Sequence, residues 1–261
     1  MKVKRCFIIS VSLILVLSLL ILGVIFMNEK KETEFYKNQQ LRLSDDFTYT
    51  AHTGCCGTAD NSLEAIKVGI ENGADIVEFD LYFNKENVAV LSHDEPKGGE
   101  VTLDEAFNLI STYKNVKVNV DVKKCTDLHV VYDLSEKYGI TERIFFTGIN
   151  LEDVETVKKE CPTIPYYLNY EVLKESKQTE AYLNDLVKIV KDSGAVGINF
   201  NKDSATKELV DTFHDNGLLV SIWTVNEEKD MYKILYFAPD NITTRNPDVL
   251  NKIIKEKGSV N

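Results

Sequence analysis

The 261-residue chain is short of cysteine, histidine and tryptophan, and it has fewer basic than acidic residues; each shortage removes a class of protein. Five cysteines form no framework, since Cys55 and Cys56 are adjacent while Cys6, Cys125 and Cys161 stand apart. No CxxC pair is present, which excludes the common structural zinc sites, and only a bridge from Cys55 or Cys56 to a distant partner is left open. Lysine and arginine nowhere form the dense cluster that grips polyphosphate, so nucleic acid is not an expected partner. Internal repeats and low-complexity blocks are also missing.

One long apolar run is present, and it lies at the N-terminus. Lys2, Lys4 and Arg5 precede an uncharged stretch from Cys6 to Met27, which at helical rise can cross a hydrocarbon core of about 30 Å. A cleaved signal peptide is the rival reading, but its apolar core is normally about 7–15 residues and ends in small residues. The end Gly23-Val24-Ile25-Phe26-Met27 offers no such site. Residues 1–27 are therefore expected to be a single-pass anchor in the cell membrane. The cations before the run outweigh Lys30 and Lys31 after it, which places the N-terminus in the cytoplasm and the rest of the chain outside. Residues 28–43, rich in Lys, Glu and Gln, read as a stalk, and residues 44–258 as one domain. Setting Lys2, Lys4 and Arg5 aside leaves 27 of the 30 Lys and Arg against 41 Asp and Glu, a net charge of −14. Such a domain is repelled by an anionic surface, so the tether rather than electrostatic steering would hold it near lipid.

From Phe47 onward, short β-rich runs alternate with amphipathic helical patterns. Strands are expected near 47–51, 76–82, 116–122, 144–147, 164–168, 195–199, 218–223 and 241–243, each followed by a helix-length segment, the last being 247–257. Eight βα units that close make a (β/α)8 TIM barrel, although an open doubly wound sheet shows the same local alternation. The extra run Val88-Ala89-Val90-Leu91-Ser92 follows the second strand too closely for a parallel crossover, so it must fold back as a hairpin and carry His93 above that strand. Asn61 is placed to cap the first helix of the domain, with Glu64 answering as in a capping box.

Side chains two apart on a strand share a face, so Glu78 and Asp80 point one way while Val77, Phe79 and Leu81 face the helices. The third strand repeats the pattern, with Lys117, Asn119, Asp121 and Lys123 on one parity and valines on the other. Inward carboxylates on adjacent strands are costly unless a partner neutralises them. A divalent cation, Mg²⁺ or Ca²⁺ by the hardness of oxygen ligands, is one such partner, and Lys117 or Lys123 in a structural ion pair is the other. Two histidines favour chemistry. His52 ends the first strand and His93 the hairpin, both at the C-terminal rim where barrel enzymes work, and a pair of imidazoles can divide the proton transfers of one reaction. His129 and His214 fall in helices and carry no expected role. Trp223 stands at the rim after the seventh strand, where it serves either as a wall for a glycerol or choline-like group or as core packing. Gly54 and Gly57 allow backbone N–H groups near a phosphate, a weak signal alone.

These motifs resemble the glycerophosphodiester phosphodiesterase family. The resemblance rests on Ala51-His52-Thr53-Gly54, Ala59-Asp60-Asn61-Ser62, Gly73-Ala74-Asp75, Glu78-Phe79-Asp80, His93-Asp94, Thr102-Leu103-Asp104-Glu105, Asp121-Val122-Lys123, Trp223-Thr224-Val225-Asn226 and Thr243-Thr244-Arg245-Asn246-Pro247-Asp248, and it covers about residues 47–250. It implies hydrolysis of a small-molecule or lipid phosphodiester to glycerol phosphate and an alcohol. His52 and His93 would be acid and base, Glu78, Asp80 and Asp121 the metal ligands, and Lys123, Trp223, Asp60 and Thr53 substrate-binding residues. Four departures stand out. Thr53 replaces an arginine that usually contacts phosphate, Asp60 replaces a glutamate, and Asp121 replaces a glutamate as it also does in sphingomyelinase D-like phospholipases. Only about eight residues separate His93 from Thr102, which shortens a substrate-covering insertion. Loss of the arginine and the insertion supports an alternative, a barrel that binds without turnover; an outward location and an open mouth suit another, phospholipase D-like or cyclising lyase chemistry on lipid headgroups. Nothing in the sequence sets the oligomeric state.

Overall fold

A computed structural model describes the backbone of residues 2–258 and the side chains of residues 18, 19 and 21–257. The chain divides into two compact units, residues 1–40 and 41–261. The first is one helix, α1 (Lys2–Lys37), so residues 28–37, read as stalk from their composition, continue the helix. Among the described residues, no helix is long and apolar enough to cross a membrane. Much of the run that carries the anchor expectation, residues 6–17 and 20, lies outside the residues whose side chains are described.

The second unit is a closed barrel. Its strands are β1 (Thr48–Ala51), β2 (Ile76–Phe83), β4 (Lys117–Val122), β5 (Ile144–Ile149), β6 (Tyr166–Asn169), β7 (Gly197–Asn201), β8 (Leu219–Trp223) and β9 (Asn241–Thr244), all parallel. Taken in the order β1-β2-β4-β5-β6-β7-β8-β9, the sheet is closed by the pairing of β9 with β1, which settles the choice between barrel and open sheet. The hairpin also forms: β3 (Ala89–Leu91) runs antiparallel to β2, with Tyr82 opposite Val90. Asn84 makes the turn, accepting hydrogen bonds from the Glu86 and Val88 N–H groups.

Among the described residues, eight α-helices pack outside: α2 (Leu63–Glu71), α3 (Leu103–Ser111), α4 (His129–Tyr138), α5 (Val154–Glu160), α6 (Glu180–Ser193), α7 (Lys207–Asp215), α8 (Glu228–Phe237) and α9 (Pro247–Gly258). Several start on a side-chain cap that satisfies otherwise orphaned N–H groups: Ser62 on α2, Thr102 with Glu105 in a capping box on α3, Thr179 on α6 and Thr206 on α7. The main core lies between strands and helices, where Val77, Phe79 and Leu81 of β2 are buried and Phe79 meets Phe107 of α3 at 6.3 Å between ring centroids. Each such side chain contributes about 1.5–3 kcal/mol by leaving water. The barrel interior is polar instead, holding Thr50, Asn119, Thr147, Asn199, Ser221 and Asn241. They satisfy one another across strands: Asn241 accepts from Thr50 Oγ1 at 2.9 Å and donates to Ser221 Oγ at 3.1 Å, and Asn199 Nδ2 donates to Asn169 Oδ1 at 2.9 Å.

Cys55, Cys56, Cys125 and Cys161 are all free thiols. Burial pushes the thiols of Cys55, Cys125 and Cys161 up to about 12; burial and the Asp248 charge raise Cys56 as well, but Cys56 is exposed. Because the thiolate is the reacting form, iodoacetamide at pH 8 is expected to label Cys56 in the native chain and to reach Cys55 and Cys161 only after unfolding. Peptide mass spectrometry reads this directly, and labelling of Cys55 at the rate of Cys56 would contradict the burial described.

Candidate active site

The parallel register of β2 with β4 sets Glu78 beside Asn119 and Asp80 beside Asp121. Two carboxylates as cross-strand neighbours repel one another, and Glu78 joins them: one oxygen from each of Glu78, Asp80 and Asp121 lies within 4.8 Å of the others. Glu78 and Asp80 are buried and Asp121 partly so. Burial, then the charges of Asp80 and Asp121, hold the Glu78 carboxyl well above its ordinary range, against a hydrogen bond from the Thr53 N–H at 2.8 Å.

Lys123 enters this cluster because its N–H donates to the Leu81 carbonyl just past Asp80. Its Nζ lies 2.7 Å from Asp121 Oδ2 and 3.0 Å from Asp80 Oδ1. Burial pulls its pKa down, but Asp121 and Asp80 more than offset this, and the ammonium is held charged. Lys117, the other candidate for an interior ion pair, is exposed at the opposite end of β4. One ammonium against three carboxylates leaves excess negative charge, and the donor set is all hard oxygen, a fit for Mg²⁺ or Ca²⁺ rather than zinc. Thr147 supports the cluster, its hydroxyl 2.8 Å from Asn119 Oδ1 and 3.1 Å from Asp121 Oδ1.

Both rim histidines face the same cavity, of about 570 Å³. His52 follows β1, its N–H donating to the Thr244 carbonyl of β9. Its Nδ1 donates to the Thr53 carbonyl at 2.9 Å, and since a carbonyl only accepts, the neutral ring keeps a free lone pair on Nε2. Burial lowers the His52 pKa; the Thr53 carbonyl opposes this, Arg245 adds to it, and Asp80 and Asp121 oppose it. His93 is placed by the hairpin, because Ser92 N–H donates to the Asp80 carbonyl at 3.0 Å. Its side chain is 66% exposed, with Nδ1 3.1 Å from Asp94 Oδ1.

Asn61 corrects one expectation. Ser62, not Asn61, caps α2, its hydroxyl accepting from the Ala65 N–H at 3.0 Å. Asn61 instead takes φ +54 and faces Asp80, accepting from the Asp80 N–H at 2.9 Å and donating to Asp80 Oδ2 at 2.8 Å. Both residue types are good caps, so spacing could not choose between them. Asn61→Ala is expected to cost roughly 2–4 kcal/mol, from one hydrogen bond to the Asp80 carboxylate, one from the Asp80 backbone N–H, and a left-handed backbone. Asn61→Gly should recover only the backbone part. Urea denaturation of both variants measures the split, and equal losses would contradict it.

The four residues expected to meet substrate all line the cavity. Thr53 is 3% exposed, and its hydroxyl accepts from the Asn61 N–H, so it holds the Asn61 loop. Asp60 pairs with Arg245, Oδ1 to Nη2 at 3.0 Å. Trp223, with Asn169 and Asn199, lines both this cavity and a second of about 880 Å³, and its buried Nε1–H has no partner. His129 is exposed at the start of α4, and His214 bonds Asp240 at 2.8 Å; neither lines the cavity. Sequence reasoning gave no role to Arg245 or to Asn119, Asn169 and Asn199, which also line it. Strand parity marked Asn119, and Arg245 lies in a motif that carries the family resemblance; only the barrel's closure sets Arg245 beside His52.

Comparison with known proteins agrees with this geometry. Residues 44–128 and 97–249 match the glycerophosphoryl diester phosphodiesterase family. A glycerophosphodiester phosphodiesterase of Caldanaerobacter subterraneus subsp. tengcongensis is 25% identical, the alignment covering 76% of this chain and 93% of the relative. Among solved structures, a putative glycerophosphoryl diester phosphodiesterase of Agrobacterium tumefaciens superposes with a TM-score of 0.69 at 16% identity, over 82% of this chain and 99% of that one. An Oleispira antarctica phosphodiesterase in complex with the product sn-glycerol-3-phosphate does so with a TM-score of 0.66 at 17% identity, over 82% and 97%. At these identities the structural likeness speaks for the fold.

Proposed function

The chain belongs to the glycerophosphoryl diester phosphodiesterase family, and from that premise we propose that it hydrolyses glycerophosphodiesters to glycerol phosphate and an alcohol. The observation that carries the reading is the meeting of two histidines and three carboxylates in one cavity at the C-terminal ends of the strands. His52, neutral and with Nε2 unprotonated, takes the proton of the attacking hydroxyl, either water or the neighbouring hydroxyl of the substrate's glycerol. A new P–O bond forms, the P–O bond to the alcohol breaks, and His93, protonated, gives its proton to the departing oxygen. Glu78, Asp80 and Asp121 would hold Mg²⁺ or Ca²⁺, which supplies stabilisation of the charge that grows on the phosphoryl oxygens. Lys123 fixes the positions of Asp80 and Asp121, and Trp223 with its free N–H forms the wall on the side of the second cavity.

Incubating the full chain with glycerophosphocholine, lysophosphatidylcholine and an aryl phosphodiester, in Mg²⁺, Ca²⁺ or chelator, tests the proposal. Release that needs the cation is the expected result; no release from any of the three would sink it. Phosphorus NMR distinguishes a monoester from a cyclic phosphate, the product expected if the substrate's own hydroxyl attacks and water does not follow.

We also propose that residues 6–27 anchor the chain in the cell membrane with the barrel outside. The run's length and flanking charges support this, as does the exposure of Leu22, Phe26 and Met27 on α1. Carbonate extraction of membranes and protease treatment of intact cells test it, and a chain released by carbonate would refute it.

A further inference from the structure

Two cationic side chains, Lys123 and Arg245, line a cavity that five carboxylates also line: Asp60, Glu78, Asp80, Asp94 and Asp121. A phosphodiester is an anion, and this wall repels it unless positive charge is placed where the phosphate sits. Lys123 is committed to Asp80 and Asp121 at 3.0 and 2.7 Å. Arg245 has a single partner carboxylate, Asp60, and its side chain is 41% exposed. A guanidinium has five N–H donors in a planar fork, so one pairing leaves donors for a second anion.

The main chain of Arg245 is fixed on both sides. Its N–H donates to Asn226 Oδ1 at 2.8 Å, and its carbonyl accepts from the Cys56 N–H at 2.8 Å. Pairing of Ala51 with Thr244 across β1 and β9 then makes His52 and Arg245 neighbours, each one residue past the paired position. The loop after His52 is shaped to receive the pair. Gly54 has φ +71, and a Cβ there would fall 2.1 Å from Asp60 Oδ1 and 3.2 Å from Arg245 Nη1. A side chain there would push the Asp60 carboxylate from its place, and the positive φ itself favours glycine. Stability does not account for the arrangement, because an exposed ion pair contributes only about 0–1 kcal/mol.

We propose that Arg245, held in place by Asp60, binds a nonbridging oxygen of the substrate phosphate beside His52. The inference rests on the phosphodiesterase reading for its substrate, but its test does not need turnover. Asp60 is a positioning residue, which turns the fork toward the cavity.

Calorimetric titration of the full chain with inorganic phosphate and with sn-glycerol 3-phosphate, in Mg²⁺, is the direct test. Arg245→Gln is expected to weaken both by roughly 10–100-fold, the size of a charge-assisted hydrogen bond, with an unchanged melting temperature. Arg245→Lys keeps the charge without the fork and should fall between. Asp60→Asn should raise KM for the diester more than it lowers kcat, with Asp60→Glu restoring it. His52→Ala should leave anion affinity within about twofold while lowering kcat by roughly 10²–10⁴-fold. Anion binding by Arg245→Gln within twofold of the unmodified chain overturns the proposal, and so does absence of anion binding by the unmodified chain. Arg245-dependent binding without hydrolysis of any diester would leave this inference standing and remove the hydrolase reading; hydrolysis with unaltered anion binding by Arg245→Gln would do the reverse.

Discussion

His52→Ala is expected to lower kcat by roughly 10²–10⁴-fold, the range for loss of a positioned acid or base. The ring is replaceable structurally, since its one close hydrogen bond is to the neighbouring Thr53 carbonyl, so circular dichroism and melting should change little. His93→Ala should cost a similar factor with still less effect on stability, because that side chain is 66% exposed. If catalysis divides between them, the double variant should lose little more than either single one, as members of one proton-transfer unit are not additive. The pH profile adds a check with a definite sign. Burial lowers the His52 pKa, so the neutral base persists below the ordinary imidazole value of about 6.5, and a bound cation would push the same way. The acidic limb of kcat/KM should therefore fall below that value and vanish in His52→Ala. A limb unmoved by the substitution would assign it to another group.

Glu78→Gln is expected to have opposite effects on activity and on metal-free stability. Removing one of three clustered carboxylates should cost roughly 10²–10³-fold in kcat, comparable with deleting one electrostatic stabiliser of a transition state. The metal-free chain, however, should become more stable at pH 8 by on the order of 1 kcal/mol, because a buried charge held among like charges costs more than a neutral amide of the same shape. The sign follows from linkage. Burial, Asp80 and Asp121 raise the folded pKa of Glu78 above its unfolded value, so the folded state binds the proton more tightly and stability from this group falls as pH rises past about 4.5. Glu78→Gln removes that slope. In the unmodified chain, Mg²⁺ or Ca²⁺ at 100 times its dissociation constant should restore about 2.7 kcal/mol, and the variant should show far less. Denaturation with and without chelator at pH 5 and pH 8 measures all of this. A variant less stable than the parent without metal would show that Lys123 alone had already neutralised the cluster.

The strands were legible because each is a short run rich in β-branched or aromatic residues between helix-length segments, a pattern that depends on neighbours in sequence only. Their ends were less so. Residues 195–199 read as a strand, yet β7 spans Gly197–Asn201, because apolar residues mark what is buried and not where pairing begins. Asn61 was misassigned for a related reason: its left-handed backbone is held by Asp80, 19 residues away. A local rule of capping has no access to that bond.

By itself the sequence determined the alternation of elements and the facing of Glu78, Asp80 and Asp121, since strand parity is a property of the chain's own covalent geometry. It also determined that His52 and His93 end β segments. Only the tertiary structure decided that the sheet closes, that three carboxylates come within 4.8 Å, and that Arg245 stands beside His52. Closure is made by hydrogen bonds between the first and last strands, nearly the whole domain apart in sequence, and such pairing leaves no mark on either strand alone.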